Sequence, residues 1–413
     1  MLIIKGQNEL SGKPIISGAK NSMQFLINTT LLTDGVIRLE NIPLIKDFEI
    51  LSNMLKSLNC IVNTDYKRKS VFLCSSKITK NSMDLRELSK IRASILMLPG
   101  LLNRFGSVFL PYPGGDKIGA RPLNTHFYIL NKLGVYIERK RNGFFAKAKN
   151  LKSTELNLPF PSVTGTGLAF MLAAKIKGKT TICNPAKEPE LNDLANILIK
   201  MGAKITGIGA NKVIIEGSDY LEGAELSVMS DRLEVGTLIL AAIASKGEIT
   251  LNKNDLTYLE NLINILKYSG CYFQESNNCI KISADNLKPF NIETRPYPGF
   301  PTDLQPQIMA LMASINGTSK IVENLHDNRF LHVPYLMKMG ADVEIEKNIT
   351  IVKGQALHGA NLEGLDIRGA AALIIAALSA KGESTFNGMY HIDRGYSNLC
   401  DNLIRLGADI KAK

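Results

Sequence analysis

The chain has 413 residues, 45% hydrophobic and 21% charged, which is enough apolar material for two or three folded units and too much for a disordered chain. Lys and Arg number 49 against 38 Asp and Glu, a net charge of +11 that reads either as attraction for anionic partners or as basic residues on solvated faces. No stretch approaches the roughly 18–20 uninterrupted apolar residues of a membrane span, and MLIIKGQNEL meets charge too early for a secretory signal, so a cytoplasmic protein without membrane insertion is expected.

In chain order, the loop ISGAKNSMQF places Lys20 and Asn21 at the start of an apolar helix. Backbone N–H groups there already favour negative charge, so the pair reads either as an anion contact or as a solvated helix end. SKIRASILMLPG puts Arg92 at the next apolar helix start, with the same two readings. The turn-prone PYPGGDKIGARP follows, carrying Asp116, Lys117 and Arg121. Asp116 is either an exposed turn carboxylate or a general acid in a loop whose closure desolvates it. LAFMLAAKI, GTLILAAIA and AALIIAALS are apolar nearly all round, so these helices belong in the interior with sheets outside. Between the first two, MSDRLEVG marks the expected boundary between lobes. FPTDLQPQ places Asp303 before a helix, where it either caps that helix or accepts a proton from a substrate hydroxyl. NLHDNRFLHVP carries Arg329, GLDIRGAAAL carries Asp366 and Arg368, and HIDRGYSN carries Asp393 and Arg394. Arginine suits bidentate contact with phosphate or carboxylate, and these cations fall at element junctions, where clefts form.

A repeat runs through these segments. A helix, a Gly and a strand recur at Asn59, Gly134, Gly202, Gly270, Gly340 and Gly407, at intervals of 67–75 residues. A second landmark, an apolar helix ending at Gly35, Gly106, Gly178, Gly247, Gly317 and Gly382 before a β-rich run, keeps the same rhythm. Each of these glycines is expected as a left-handed helix C-cap. Six α+β units in two lobes of three result, longer than the usual solenoid repeat. Nucleic acid is a poor fit: there is no Trp, aromatics are 7%, and the cations are scattered. Six cysteines form no CxxC pair and are expected as buried reduced thiols; five histidines form no ligand pair, so no metal is expected.

ISGAKN, the IRAS segment, PGGDKIGARP, EPEL, DRLEVGT, FPTD, NRFLHVPYLMKMGA, DIRGAAAL and YHIDRGY run in order along the chain. End to end they closely resemble the bacterial enolpyruvyl transferases, and among these the kind that acts on UDP-N-acetylglucosamine. The resemblance implies a two-lobed inside-out α/β barrel of six repeated units. Its first lobe spans 20–229 and its second 1–19 plus 230–413, joined by the N-terminal strand, with the site in the cleft between them. It implies an enzyme that moves enolpyruvyl from phosphoenolpyruvate to the 3′-hydroxyl of UDP-N-acetylglucosamine, releasing phosphate through a tetrahedral intermediate. That is the first committed step of peptidoglycan synthesis, and it needs no cofactor, metal or nucleic acid. The alternatives are a related transferase acting on shikimate 3-phosphate or another sugar nucleotide, or an anion-binding repeat protein; GARP, NRF and HIDRGY speak against the shikimate enzyme.

By the same resemblance, Lys20 and Asn21 bind phosphoenolpyruvate and the intermediate, and Arg92, Arg121 and Arg394 hold its phosphate and carboxylate. Arg329 joins this anion-binding set. Asp116 is the acid, Asp303 the base at the sugar hydroxyl, and Asp366, Ile367 and Arg368 help define the closed site. The nucleotide sugar is cradled by Arg121, Pro122, Leu123, Asn124 and Thr125, by Phe160, Pro161, Ser162 and Val163, and by Leu325. Asp116 stands where the family usually carries Cys, which implies insensitivity to the epoxide fosfomycin, because a carboxylate is a poorer nucleophile than a thiolate. Phe160, Pro161 and Asn124 depart from the family pattern on the nucleotide side.

Overall fold

A computed structural model describes residues 1–79 and 88–413. Contacts divide them into two compact units. Gly18–Asp116 with Arg121–Met229 form the internal unit; Met1–Ser17, Lys117–Ala120 and Ser230–Lys413 form the terminal unit.

In the internal unit the helix Lys20–Thr29, the 3₁₀ turn Arg92–Met97 running into the helix Leu98–Phe105, and the helix Val163–Ala173 are packed together and largely buried. Gly167 lets the last approach the first closely, because a Cβ there would lie 2.3 Å from the Phe25 ring. Three sheets surround them. In the terminal unit the inner helices are Arg232–Ala244, Gln305–Ala313 and Ile367–Ser379, each buried along nearly its whole length, again with three sheets outside. Apolar side chains all round a helix leave no face for water, and this layering follows from that. Side chains fix where three of these helices begin: Ser162 accepts from Gly165 N, Asp231 from Leu233 and Glu234 N, and Asp366 from Arg368 and Gly369 N.

The six sheets repeat one plan. In five, the strand after the inner helix pairs in parallel with a short strand on one side and antiparallel with a third strand on the other, as in Glu155–Asn157, Gly178–Cys183 and Lys212–Gly217. Among the described residues the sheet of Ser107–Pro111, Gly143–Ala148 and Val135–Lys140 has three strands, with Gly143–Ala148 antiparallel to both others. In the last copy Leu2–Lys5 takes the inner place, paired with Glu383–Asn387 and Asp409–Ala412.

The first landmark of the repeat has positive φ in all six copies, from Asn59 at 62° to Gly202 at 111°. The second does so at Gly106, Gly178, Gly317 and Gly382 but not at Gly35 or Gly247, where the expected left-handed cap is corrected. At Gly247 the positive φ falls on Lys246, and Gly is needed because a Cβ would lie 2.0 Å from Leu10 O. At Gly35 a Cβ would lie 2.4 Å from Gly223 N.

All six cysteines are free thiols; Cys60 and Cys271 are buried, while Cys74, Cys183, Cys279 and Cys400 are only half-buried, against the expectation of burial throughout. Burial pushes the Cys60 thiol up to about 12 and those of Cys271 and Cys400 to about 11, leaving them protonated and inert. Among the described residues no helix is long and apolar enough to cross a membrane, and no group of three or more His, Cys, Asp or Glu is placed to hold a metal.

Candidate active site

In the internal unit, Lys20 opens its helix after Ala19, a residue with no side chain to cap it. Its Nζ lies 3.3 Å from Oδ2 of the buried Asp47, to which Gln24 also donates at 3.1 Å. Two residues on, Ser22 donates to Asp193 Oδ2 at 2.5 Å, and Met229 N donates to the same oxygen at 3.0 Å. Burial raises the Asp193 pKa against these two hydrogen bonds. The helix start is therefore anchored from beneath, with Lys20 and Asn21 half-buried at its tip.

Arg92, Arg121, Pro122, Leu123 and Asn124 line one cavity of about 320 Å³, with Tyr112, Pro113, Phe127 and Arg139 also in its wall. Arg92 Nη2 donates to Pro122 O at 3.5 Å. Burial and the neighbouring Arg121 push Arg92 down to about 10, so it stays cationic at neutral pH. The Gly114–Gly115 turn brings backbone over this pair: a Cβ on Gly114 would meet Ser89 O at 1.9 Å, and one on Gly115 would sit 3.4 Å from both arginines. Asp116 follows that turn, half-buried. Thr125 lies in the first turn of the helix Asn124–Lys132. Ser162 caps its helix, Val163 is half-buried beside it, and Phe160 is exposed.

Sequence reasoning missed His126. It is buried, and its Nε2 is 2.9 Å from Thr164 Oγ1, which ties the segment after Arg121 to the turn after Ser162. Burial, Arg92 and Arg121 push it down to about 3, so it is neutral.

In the terminal unit Asp303 does not cap the following helix; the cap position is Leu304, with no side-chain bond. Instead Arg329 Nη2 donates to Asp303 Oδ1 at 2.5 Å and Arg368 Nη2 to Oδ2 at 3.2 Å. Both arginines are buried, while the Asp303 side chain is 30% exposed, so the carboxylate is the open edge of the cluster. Burial opposes the Arg368 charge, but Tyr396, Asp303 and Asp231 outweigh it and raise its pKa. Arg368 also lies 5.2 Å from the Tyr396 ring centroid. Gln307 donates to Asp303 O at 2.9 Å and to Tyr396 Oη at 3.1 Å.

Asp366 is committed to capping its own helix, with Ile367 and Arg368 buried in the first turn. Arg394 is buried in the short helix Met389–Gly395. Leu325 and Arg329 share a loop organised by Glu323, a buried carboxylate that belongs to none of the sequence motifs. It accepts from Thr294 Oγ1, Thr302 Oγ1, Leu325 N and His326 N at 2.9–3.1 Å. Asn328 of the same loop donates to Lys117 O at 3.1 Å and Ile118 O at 3.3 Å, so Lys117–Ala120 pack with this unit.

The arrangement offers guanidinium groups for oxyanions in one unit, and in the other a partly exposed carboxylate held by two arginines. The family model described as EPSP synthase (3-phosphoshikimate 1-carboxyvinyltransferase) matches residues 4–403. UDP-N-acetylglucosamine 1-carboxyvinyltransferase 1 of Staphylococcus aureus (strain MRSA252) is 37% identical over 414 residues, covering 99% of this chain and 98% of its own. UDP-N-acetylglucosamine 1-carboxyvinyltransferase of Thermodesulfovibrio yellowstonii is 41% identical over 413 residues, 99% of each. The crystal structure of the enolpyruvyl transferase NikO from Streptomyces tendae superposes with a TM-score of 0.89 at 23% identity, covering 99% of this chain and 98% of that one. EPSP synthase from Acinetobacter baumannii gives 0.74 at 17%, covering 100% and 99%; both share the fold. With a matching family model from residue 4 to residue 403 and full-length relatives above 30% identity, the chain belongs to the enolpyruvyl transferase family.

Proposed function

We propose that this chain is an enzyme of peptidoglycan synthesis that transfers the enolpyruvyl group of phosphoenolpyruvate to the 3′-hydroxyl of UDP-N-acetylglucosamine and releases phosphate. The observation that carries the reading is the match, over 99% of the chain, to relatives whose names state that activity. The residues suit the chemistry. Phosphoenolpyruvate brings a phosphate and a carboxylate, and Lys20, Arg92, Arg121 and Arg394 are the cations assigned to them, with Asn21 beside Lys20. Arg121, Pro122, Leu123, Asn124, Thr125, Ser162, Val163 and Leu325 are assigned to the nucleotide sugar.

In this reading Asp303 takes the proton of the 3′-hydroxyl as its oxygen bonds to C2 of phosphoenolpyruvate, and Asp116 gives a proton to C3. The product of addition is a tetrahedral ketal phosphate. Loss of a C3 proton then reforms the double bond while the C2–O bond to phosphate breaks, and the cations balance the charge of the leaving group. Arg329 and Arg368 hold both oxygens of Asp303, which keeps one carboxylate geometry ready for the hydroxyl; Asp366 supports Arg368 by starting its helix.

Phosphate release from phosphoenolpyruvate tests the reading, with UDP-N-acetylglucosamine, with shikimate 3-phosphate, and with no acceptor. Release is expected with the first alone. Release with shikimate 3-phosphate and none with the nucleotide sugar overturns it.

A further inference from the structure

One cation of the cavity at Arg92 and Arg121 belongs to no motif. Arg139 lies on the strand Val135–Lys140, and its guanidinium carbon is 4.9 Å from the centroid of the Phe127 ring. Phe127 is buried and held edge-on against Phe144, with centroids 5.0 Å apart, so the planar cation rests on a fixed seat. Its strand neighbours Glu138 and Lys140 pair with each other. In a pleated strand they share the face opposite Arg139, which leaves that carboxylate turned away from the cavity. Three guanidinium groups thus line about 320 Å³. Burial first and then Arg121 lower the Arg92 pKa, and an anion placed among these cations offsets both effects.

We infer that Arg139 is a specificity-determining residue for the nucleotide-sugar substrate, contacting its diphosphate within the cavity it shares with Arg92 and Arg121. The inference rests on the activity proposed above and adds a contact that activity does not require. Arg92 and Arg121 serve phosphoenolpyruvate as well, but Arg139 shares its wall with Arg121, Pro122, Leu123 and Asn124, all assigned to the nucleotide sugar, and not with Lys20, so its added contact falls to the diphosphate. A diphosphate spreads charge over several oxygens, which suits more than one planar guanidinium at once.

The test is calorimetric titration of the full chain with UDP-N-acetylglucosamine, without phosphoenolpyruvate so that no turnover occurs, beside the steady-state KM for phosphoenolpyruvate. Arg139→Gln is expected to weaken nucleotide-sugar affinity by about tenfold, the scale of one charge-assisted hydrogen bond, and to make that affinity less salt-dependent. The KM for phosphoenolpyruvate is expected to stay the same. Arg139→Lys keeps the charge but loses the fork and the ring seat, so it recovers only part of the affinity. Unchanged nucleotide-sugar affinity in Arg139→Gln, with wild-type turnover intact, overturns the inference and leaves the proposed activity standing. An equal loss for both substrates also overturns it. A wild-type chain that neither binds nor turns over UDP-N-acetylglucosamine removes both.

Discussion

Both carboxylate oxygens of Asp303 are occupied by guanidinium groups, and the loop beneath it is tied down by Glu323 through Thr302, the residue just before it. Removing the Glu323 carboxylate orphans two hydroxyls and two backbone N–H groups, each costly to leave buried and unpaired. Glu323→Ala is expected to lower kcat by about a hundredfold, the effect of a misplaced catalytic group, with a smaller change in the KM for phosphoenolpyruvate. Glu323→Gln keeps an acceptor oxygen and a polar partner for Thr302, and is expected to restore most of the rate. Equal losses in both variants would show that charge, rather than loop position, is what matters. Asp116 gives a second residue-scale prediction. Asp116→Asn removes the proton donor and is expected to reduce turnover by about 10²–10⁴-fold, read as phosphate release. The wild-type chain is expected to resist covalent inactivation by fosfomycin and Asp116→Cys to gain it, read as the mass of the adduct; an adduct on Asp116 itself would defeat this. Lys20, Arg92, Arg121, Arg329 and Arg368 were legible in the sequence because each is a charge at an element junction. Glu323, Gln307 and His126 were not, because their meaning lies in partners from other segments. Tyr396 meets Thr237 across 159 residues, and no local spacing encodes that contact.

At the scale of elements, the repeat was legible because an all-apolar helix followed by Gly and a strand is a local pattern, and six copies reinforce one another. The reason for each glycine was not. Gly247 and Gly382 occupy the same repeat position, yet the structure asks different things of them. Gly382 has φ +94° with nothing within 4 Å of a Cβ, so only conformation opposes a side chain there. Gly382→Ala should therefore destabilise by about 1–2 kcal/mol, the cost of a left-handed L-residue. At Gly247 a Cβ would lie 2.0 Å from Leu10 O and 2.5 Å from Leu10 N, just before the strand Ser11–Gly12 that pairs in parallel with Glu248–Asn252. Backbone cannot swing aside as a side chain does. Gly247→Ala is accordingly expected at or above the top of the roughly 1–3 kcal/mol that overpacking costs, and to loosen that strand pair. Urea unfolding of the two variants, with hydrogen exchange in Ser11–Gly12, checks the order. A milder effect at Gly247 than at Gly382 would mean that the parallel strand moves away at little cost.

For the molecule as a whole, the two units carry one acid-sensitive element each. His126 in the internal unit and His332 in the terminal unit are buried, and both are pushed down to about 3, by burial first and then by neighbouring arginines: Arg92 and Arg121 for one, Arg329 for the other. Neither ring nitrogen of His332 has a hydrogen-bond partner among the described residues. A histidine whose folded pKa is depressed binds its proton more readily unfolded. Its full contribution to stability is present above the ordinary value of 6.5 and declines as pH falls from there toward 3. Within that window each histidine adds a slope of up to about 1.4 kcal/mol per pH unit. Native-state hydrogen exchange between pH 7 and pH 4, corrected for intrinsic rates and resolved by peptide, reads the units separately. His126→Asn should flatten the pH dependence of protection in peptides of Gly18–Asp116 and Arg121–Met229. His332→Asn should do the same for peptides of Ser230–Lys413. At pH 7 His126→Asn loses packing and the Thr164 hydrogen bond and His332→Asn loses packing alone, so each deficit relative to wild type should shrink as the solution is acidified. A deficit that stays constant with pH would show that the buried imidazoles take up protons in the folded units as readily as in the unfolded chain.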